Sequence, residues 1–195
     1  MIKKIRNSKF VIRNCQKGMT YVELIVVLSI FSAMTSVVLF NYGEFQAKVD
    51  IKNLASDIAL KIVEAQKSSL SGKLPESFPV NWKPSYGVYF NDDEKTKFIY
   101  FANFNNDFYD DLSDSILDQS TITKGNYIDK LEAVGADCPV ISNLSVVFRR
   151  PDSGAKITSD GALLPCASYF QITITSPQGT SSVIKLYLSG RIQVN

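Results

Sequence analysis

Hydrophobic and polar positions divide the chain into an apolar run, an amphipathic stretch and a region of alternating residues. From Leu24 to Gly43 no residue carries a formal charge, a run of 20 residues. At about 1.5 Å of rise per residue, a helix of that length is enough to cross the hydrocarbon core of a bilayer. One carboxylate, Glu23, stands at the head of the run. Beyond it, Ala47, Ile51, Leu54, Ala55, Ile58, Ile62 and Ala65 recur at helical spacing, with Lys48, Lys52, Asp57, Lys61 and Gln66 largely off that stripe. The pattern predicts one long helix from Met19 to about Leu70, apolar all round in its first half and one-sided in its second. Gly43 is a weak point between the halves, and Ser71-Gly72 ends the helix.

After an irregular stretch containing Pro75, Pro79 and Pro84, the period changes to two. Tyr86-Gly87-Val88-Tyr89-Phe90 and Lys97-Phe98-Ile99-Tyr100-Phe101 flank a charged turn and predict a hairpin. Leu144–Phe148 and Tyr169–Thr175 read as strands. Val183–Leu188 and Arg191–Val194 read as a closing hairpin around Ser189-Gly190. The expected fold class is therefore α+β: a long helix whose amphipathic half packs on a mostly antiparallel sheet. The expected segments are a leader (1–18), an apolar half-helix (19–43), an amphipathic half-helix (44–71) and a β-rich head (72–195). The aromatic residues Trp82, Tyr86, Tyr89, Phe90, Phe98, Tyr100 and Phe101 are expected in the sheet core.

Charge sharpens this picture. Lys3, Lys4, Arg6, Lys9, Arg13 and Lys17 precede Met19 with no acid among them. The rest of the chain holds the other 15 of 21 basic residues against 19 acidic ones. Its net negative charge argues against a nucleic-acid binder driven by phosphate contacts. A basic segment before an apolar span is the pattern retained on the cytoplasmic side. The apolar core follows the basic segment and its Lys17-Gly18 end, unlike an ordinary secretory signal. Ser32, Ala33 and Ser36 leave an ordinary signal-peptidase site as the alternative.

The stretch Lys17-Gly18-Met19-Thr20-Tyr21-Val22-Glu23-Leu24-Ile25-Val26-Val27-Leu28-Ser29-Ile30 resembles the leader junction and N-terminal helix of type IV pilins and type II secretion pseudopilins. Gly18 and Glu23 match the family's spacing, and Met19 stands where phenylalanine is usual. The resemblance implies cleavage by a prepilin peptidase between Gly18 and Met19 and N-methylation of Met19. It also implies assembly through Glu23, which would meet the Met19 amine of a neighbouring subunit. The implied partners are the peptidase, identical or related pilin subunits, inner-membrane assembly machinery and, before assembly, membrane lipid. The implied location is a single-pass protein of the cytoplasmic membrane with its head outside, and then a filament. A carboxylate in lipid is costly without a partner, which fits the pairing; the alternative is a glutamate at the end of a simple membrane anchor.

Two further features carry candidate chemistry. Asn103, Asn105, Asp107, Tyr109, Asp111 and Asp114 occupy the first, third, fifth, seventh, ninth and twelfth places of a calcium loop of EF-hand type. Phe108 sits where glycine is usual, and the alternative is a solvated turn of Asx side chains. No other cofactor is expected. Cys138 and Cys166, an even pair beyond the span, suit a disulfide; two buried thiols are the alternative. Cys138-Pro139 and Pro165-Cys166 each precede a predicted strand. If those strands paired antiparallel, the cysteines would lie at opposite ends, so a bridge requires a folded-back loop or a different strand order. Arg149-Arg150 reads as a strand end, with a binding patch as the alternative.

With no histidine, Ser–His and Cys–His dyads and histidine metal sites are ruled out. The reading is a filament subunit and not an enzyme. A minor pseudopilin of a secretion or DNA-uptake pseudopilus is the alternative, followed by a membrane-tethered binding domain.

Overall fold

The computed structural model describes residues 18–75, 78, 81–105 and 108–195. It has one helix, α1 (Tyr21–Ser71), and ten strands: β1 (Ser85–Asn91), β2 (Lys97–Ala102), β3 (Ser115–Thr121), β4 (Tyr127–Gly135), β5 (Asn143–Arg149), β6 (Ala155–Ser159), β7 (Ala162–Leu163), β8 (Ala167–Thr175), β9 (Ser181–Leu186) and β10 (Ile192–Val194). The chain forms two compact units, Met1–Tyr42 and Gly43–Asn195.

In the first unit the helix is long and apolar enough to cross a membrane. Its most apolar 18-residue window has a mean hydropathy of 2.3 and no buried residue. Two hydroxyls of this segment are satisfied within the helix, an arrangement compatible with lipid. Ser29 donates to the Val26 carbonyl at 2.8 Å and Thr35 to the Phe31 carbonyl at 2.8 Å.

The second unit has one core, formed by α1 and two antiparallel sheets. The first sheet has the order β3-β2-β1-β5-β6-β7 and the second β10-β9-β8-β4. The expected single sheet is thus two. The stripe Ala47, Ile51, Ala55, Ile58, Ile62 and Ala65 is buried, and Leu54 is half-buried beside it. These residues join Tyr86, Val88, Phe90, Phe98 and Tyr100 of the first sheet and Ile128, Phe170, Ile172, Ile184 and Leu186 of the second. Phe90 and Phe98 are cross-strand partners with stacked rings 5.8 Å apart. Trp82 and Tyr89, also expected in the core, are half-buried.

Polar links pin the helix to the sheets. The Tyr100 hydroxyl donates to Ser68 Oγ at 3.0 Å, Ser69 Oγ donates to the Pro84 carbonyl at 3.1 Å, and Gln66 Nε2 donates to the Ser153 carbonyl at 2.8 Å. Lys61 pairs with Asp118 at 2.8 Å and Lys124 with Asp50 at 2.7 Å. The helix ends in a Schellman arrangement: Gly72 N–H meets the Ser69 carbonyl and Lys73 N–H the Ser68 carbonyl, with Gly72 at φ 70°.

Four strands were not expected from the sequence. β3 is polar and presents no buried alternation. In β4 the register slips between Ile128 and Lys130, so the buried residues Ile128 and Leu131 are three apart instead of two. β6 and β7 are short and joined by Asp160-Gly161, both at positive φ (50° and 75°), the two-residue connection that matches strand twist. That dipeptide between Ser159 and Ala162 is the signal in the sequence that could have identified them.

Candidate functional site

The head of α1 is built by a side-chain cap. Thr20 lies just before the helix, and its Oγ1 accepts the Glu23 N–H at 3.3 Å while its carbonyl accepts the Leu24 N–H at 3.2 Å. The first helical N–H groups have no partner within a helix, so a hydroxyl at this position satisfies one of them. Thr20-Tyr21-Val22-Glu23 has the spacing of a capping box, a signal missed in the reading of the sequence. Glu23 lies in the first turn, where the positive end of the helix dipole favours a carboxylate. Gly18 and Met19 precede the helix in non-regular backbone and are exposed, Met19 at 66%. Nothing lies within 4 Å of the place where a side chain on Gly18 would begin. The leader before Gly18 lies outside the described residues.

From Glu23 the exposed apolar side chains continue through Leu24, Ile25, Val26, Val27, Leu28, Ile30, Phe31, Val37 and Phe40. No other charge occurs before Glu44. The arrangement can do two things chemically. It offers an apolar surface on every side, and it offers one carboxylate at a defined height along that surface.

The acidic–amide segment folds over the outer face of the first sheet, where Tyr109 is its anchor. The Tyr109 ring stacks on Tyr89 at 4.6 Å and meets Phe101 edge-on at 4.9 Å, and its N–H donates to Ser145 Oγ at 3.2 Å. The Tyr109 hydroxyl donates to Asp111. Burial and that carboxylate raise its pKa above the ordinary phenol range. Asp114 accepts the Phe104 N–H on Oδ1 at 2.9 Å and the Asp110 N–H on Oδ2 at 3.0 Å. Burial holds its pKa above the usual carboxylate value, and the two backbone donors oppose that shift.

Asn103 is buried. Its Nδ2 donates to the Phe108 carbonyl at 3.4 Å, and its own backbone carbonyl accepts Trp82 Nε1 at 2.7 Å. Asn105 Nδ2 donates to Ser113 Oγ at 3.1 Å. Of the six residues expected to hold calcium, Asp107 lies outside the described residues. The Asp114 oxygens face backbone donors and Asp111 faces the Tyr109 hydroxyl. Asn103 Oδ1 is buried and has no hydrogen-bond partner among the described residues. Among the described residues no group of three or more aspartate, glutamate or cysteine side chains is arranged to hold a metal ion.

Cys138 and Cys166 are joined, with their Cα atoms 5.5 Å apart. The strand order explains how. The strands that follow the two cysteines, β5 and β8, belong to different sheets and are not neighbours. Cys138 instead follows β4, which pairs antiparallel with β8 so that Gly135 faces Ala167. The end of one strand meets the start of the other, which brings both cysteines to the same edge. A side chain on Gly135 would collide with the Cys166 carbonyl, so glycine is what permits this approach.

No family model matches the chain, and neither a curated protein nor a solved structure is significantly similar to it.

Proposed function

We propose that this chain is a structural subunit of a type IV pilus-like filament, inserted in the cytoplasmic membrane with its head outside and assembled through the first half of α1. The observation that carries the reading is the wholly unburied apolar window of α1, mean hydropathy 2.3, headed by the lone carboxylate Glu23. An apolar helix of this kind suits lipid before assembly and other copies of itself afterwards. A prepilin peptidase cuts between Gly18 and Met19, and the freed Met19 amine is methylated. Exposed, non-helical backbone at Gly18 and Met19 supports access to that bond. In the filament Glu23 pairs with the Met19 amine of a neighbouring subunit. This gives the charge a partner in an apolar setting and fixes axial register.

Two measurements test the reading. Mass spectrometry of the membrane-extracted chain should find an N-methylated Met19 at its start, and Gly18→Glu should leave the chain unprocessed. Immunogold electron microscopy of cells should place the protein along filaments. Label confined to the envelope in filament-bearing cells would favour a membrane-tethered domain instead.

A further inference from the structure

One end of the first sheet carries an unneutralised basic cleft. The start of β1, the end of β5, the β5–β6 connection and Leu188 after β9 enclose about 420 Å³. Its polar lining is Lys83, Ser85, Arg149, Arg150, Asp152 and Lys156. Ser85 and Arg149 are cross-strand partners and therefore share a face, as do Val147 and Lys156 one pair further along the sheet. Lys83, Arg149 and Arg150 are exposed and form no ion pair among the described residues. Lys156 is already engaged. The one carboxylate, Asp152, accepts the Gly154 N–H at 2.9 Å.

Ser85 also lines the cleft but is fully buried, so the exposed cations are what the cleft presents to solvent. Among the described residues, three cations without an ion pair against one carboxylate leave a local surplus of two positive charges, whereas the chain from Met19 onward is net acidic. A phosphate monoester carries nearly two negative charges near pH 7, with oxygens that accept a guanidinium fork. An adjoining cleft of about 310 Å³ shares Lys83, Arg150 and Pro151 and adds Trp82 and Pro84. That cleft has room and apolar surface for the organic part of such a ligand.

We propose that this cleft binds a phosphate dianion, free or as the terminal group of a phosphomonoester. Arg149 is the planar fork, and Lys83 and Arg150 add positive charge around it. The site does not depend on the filament reading.

The test is calorimetric titration of the full chain in detergent with inorganic phosphate and with glycerol phosphate, at constant ionic strength. Saturable binding of one equivalent is expected. Arg149→Gln should weaken it about tenfold or more, and Arg149→Lys should restore part of the loss. Lys83→Gln should also weaken it severalfold without lowering the thermal midpoint, because Lys83 is exposed and forms no ion pair among the described residues. It remains informative should an arginine variant fail to fold, a concern chiefly for Arg150, whose guanidinium stands beside Gly72 at the end of α1. Tighter binding of glycerol phosphate than of inorganic phosphate would place the organic part in the adjoining cleft; equal binding would mean that free phosphate suffices. The proposal is overturned by no saturable binding up to about 10 mM phosphate, by variants that bind as tightly as the parent, or by a single-stranded oligonucleotide that binds without competition from phosphate.

Discussion

The two halves of α1 differ in what surrounds them, and the sequence of each half matches its surroundings. Up to Tyr42 the helix is apolar on every side and none of its most apolar window is buried. From Ala47 onward the apolar residues concentrate in one stripe, of which Ala47, Ile51, Ala55, Ile58, Ile62 and Ala65 are buried in the core of the second unit, while Val49 and Leu60 off the stripe stay exposed. Hydrophobicity therefore has two roles in one helix. In the second half it drives folding, since each large side chain removed from water contributes about 1.5–3 kcal/mol. In the first half none of the most apolar window is buried among the described residues, which is the basis for proposing lipid or another protein as its partner.

The comparison can be broken most sharply by placing a charge in each half. Ile58→Asp puts an unpaired carboxylate at a fully buried position and should cost about 4–5 kcal/mol, read as a large drop in the head's unfolding midpoint. Val38→Asp should leave that midpoint unchanged. Instead it should weaken membrane insertion by about 2.5–3.5 kcal/mol, seen as chain lost from the carbonate-resistant membrane fraction. Equal effects on the head's stability would erase the distinction between the halves.

Removing the disulfide comes next. Cys138→Ser with Cys166→Ser opens a loop closed over a sequence separation of 28 and should destabilise the head by about 3–4 kcal/mol on the loop-entropy view, measured by denaturant unfolding. Membrane insertion should not change.

The smallest effect belongs to the Lys61–Asp118 pair on the helix flank. Asp118 has its pKa lowered mainly by the hydrogen bond from Lys61, and Lys61 has its pKa raised mainly by the same bond. The carboxylate's contribution is present above its unfolded value near 3.8 and fades as pH falls through the lower folded value. The ammonium's contribution is present below 10.5 and fades as pH rises through the higher folded value. Lys61→Ala should therefore cost stability between about pH 4 and 10 and little outside that window. With Asp118 43% exposed, solvent screening limits the loss to about 0.5 kcal/mol.

Sequence and structure agree where the pattern is regular and local. The stripe from Ala47 to Ala65 and the pairing of Tyr86–Phe90 with Lys97–Phe101 follow from periods of 3.6 and 2. The disagreements have physical causes. β4 is hidden because a bulge breaks its alternation, and β3 because an edge strand need not bury either face. The cysteines looked badly placed because strand order is non-local: β4, unseen in the sequence, is what brings Cys138 to the start of β8. At the candidate site, Glu23 and its apolar setting were legible from charge alone, whereas its cap by Thr20 was overlooked. In the acidic–amide loop the sequence showed the oxygens but not their direction. Asp114 turns its oxygens to the Phe104 and Asp110 N–H groups, which a reading of residue spacing cannot reveal.

The central claim is that Glu23 serves assembly through a partner outside its own chain. Glu23→Ala, expressed in cells lacking the parent chain, tests it most directly when processing, membrane content and sheared filaments are quantified together. Cleavage and membrane level near those of the parent, with filaments reduced at least about tenfold, is the expected result, because the proposed intersubunit charge pair is removed while the Gly18–Met19 bond and the apolar run are unchanged. Filaments at the parent level would contradict the pairing and leave Glu23 as no more than a first-turn carboxylate on a capped helix.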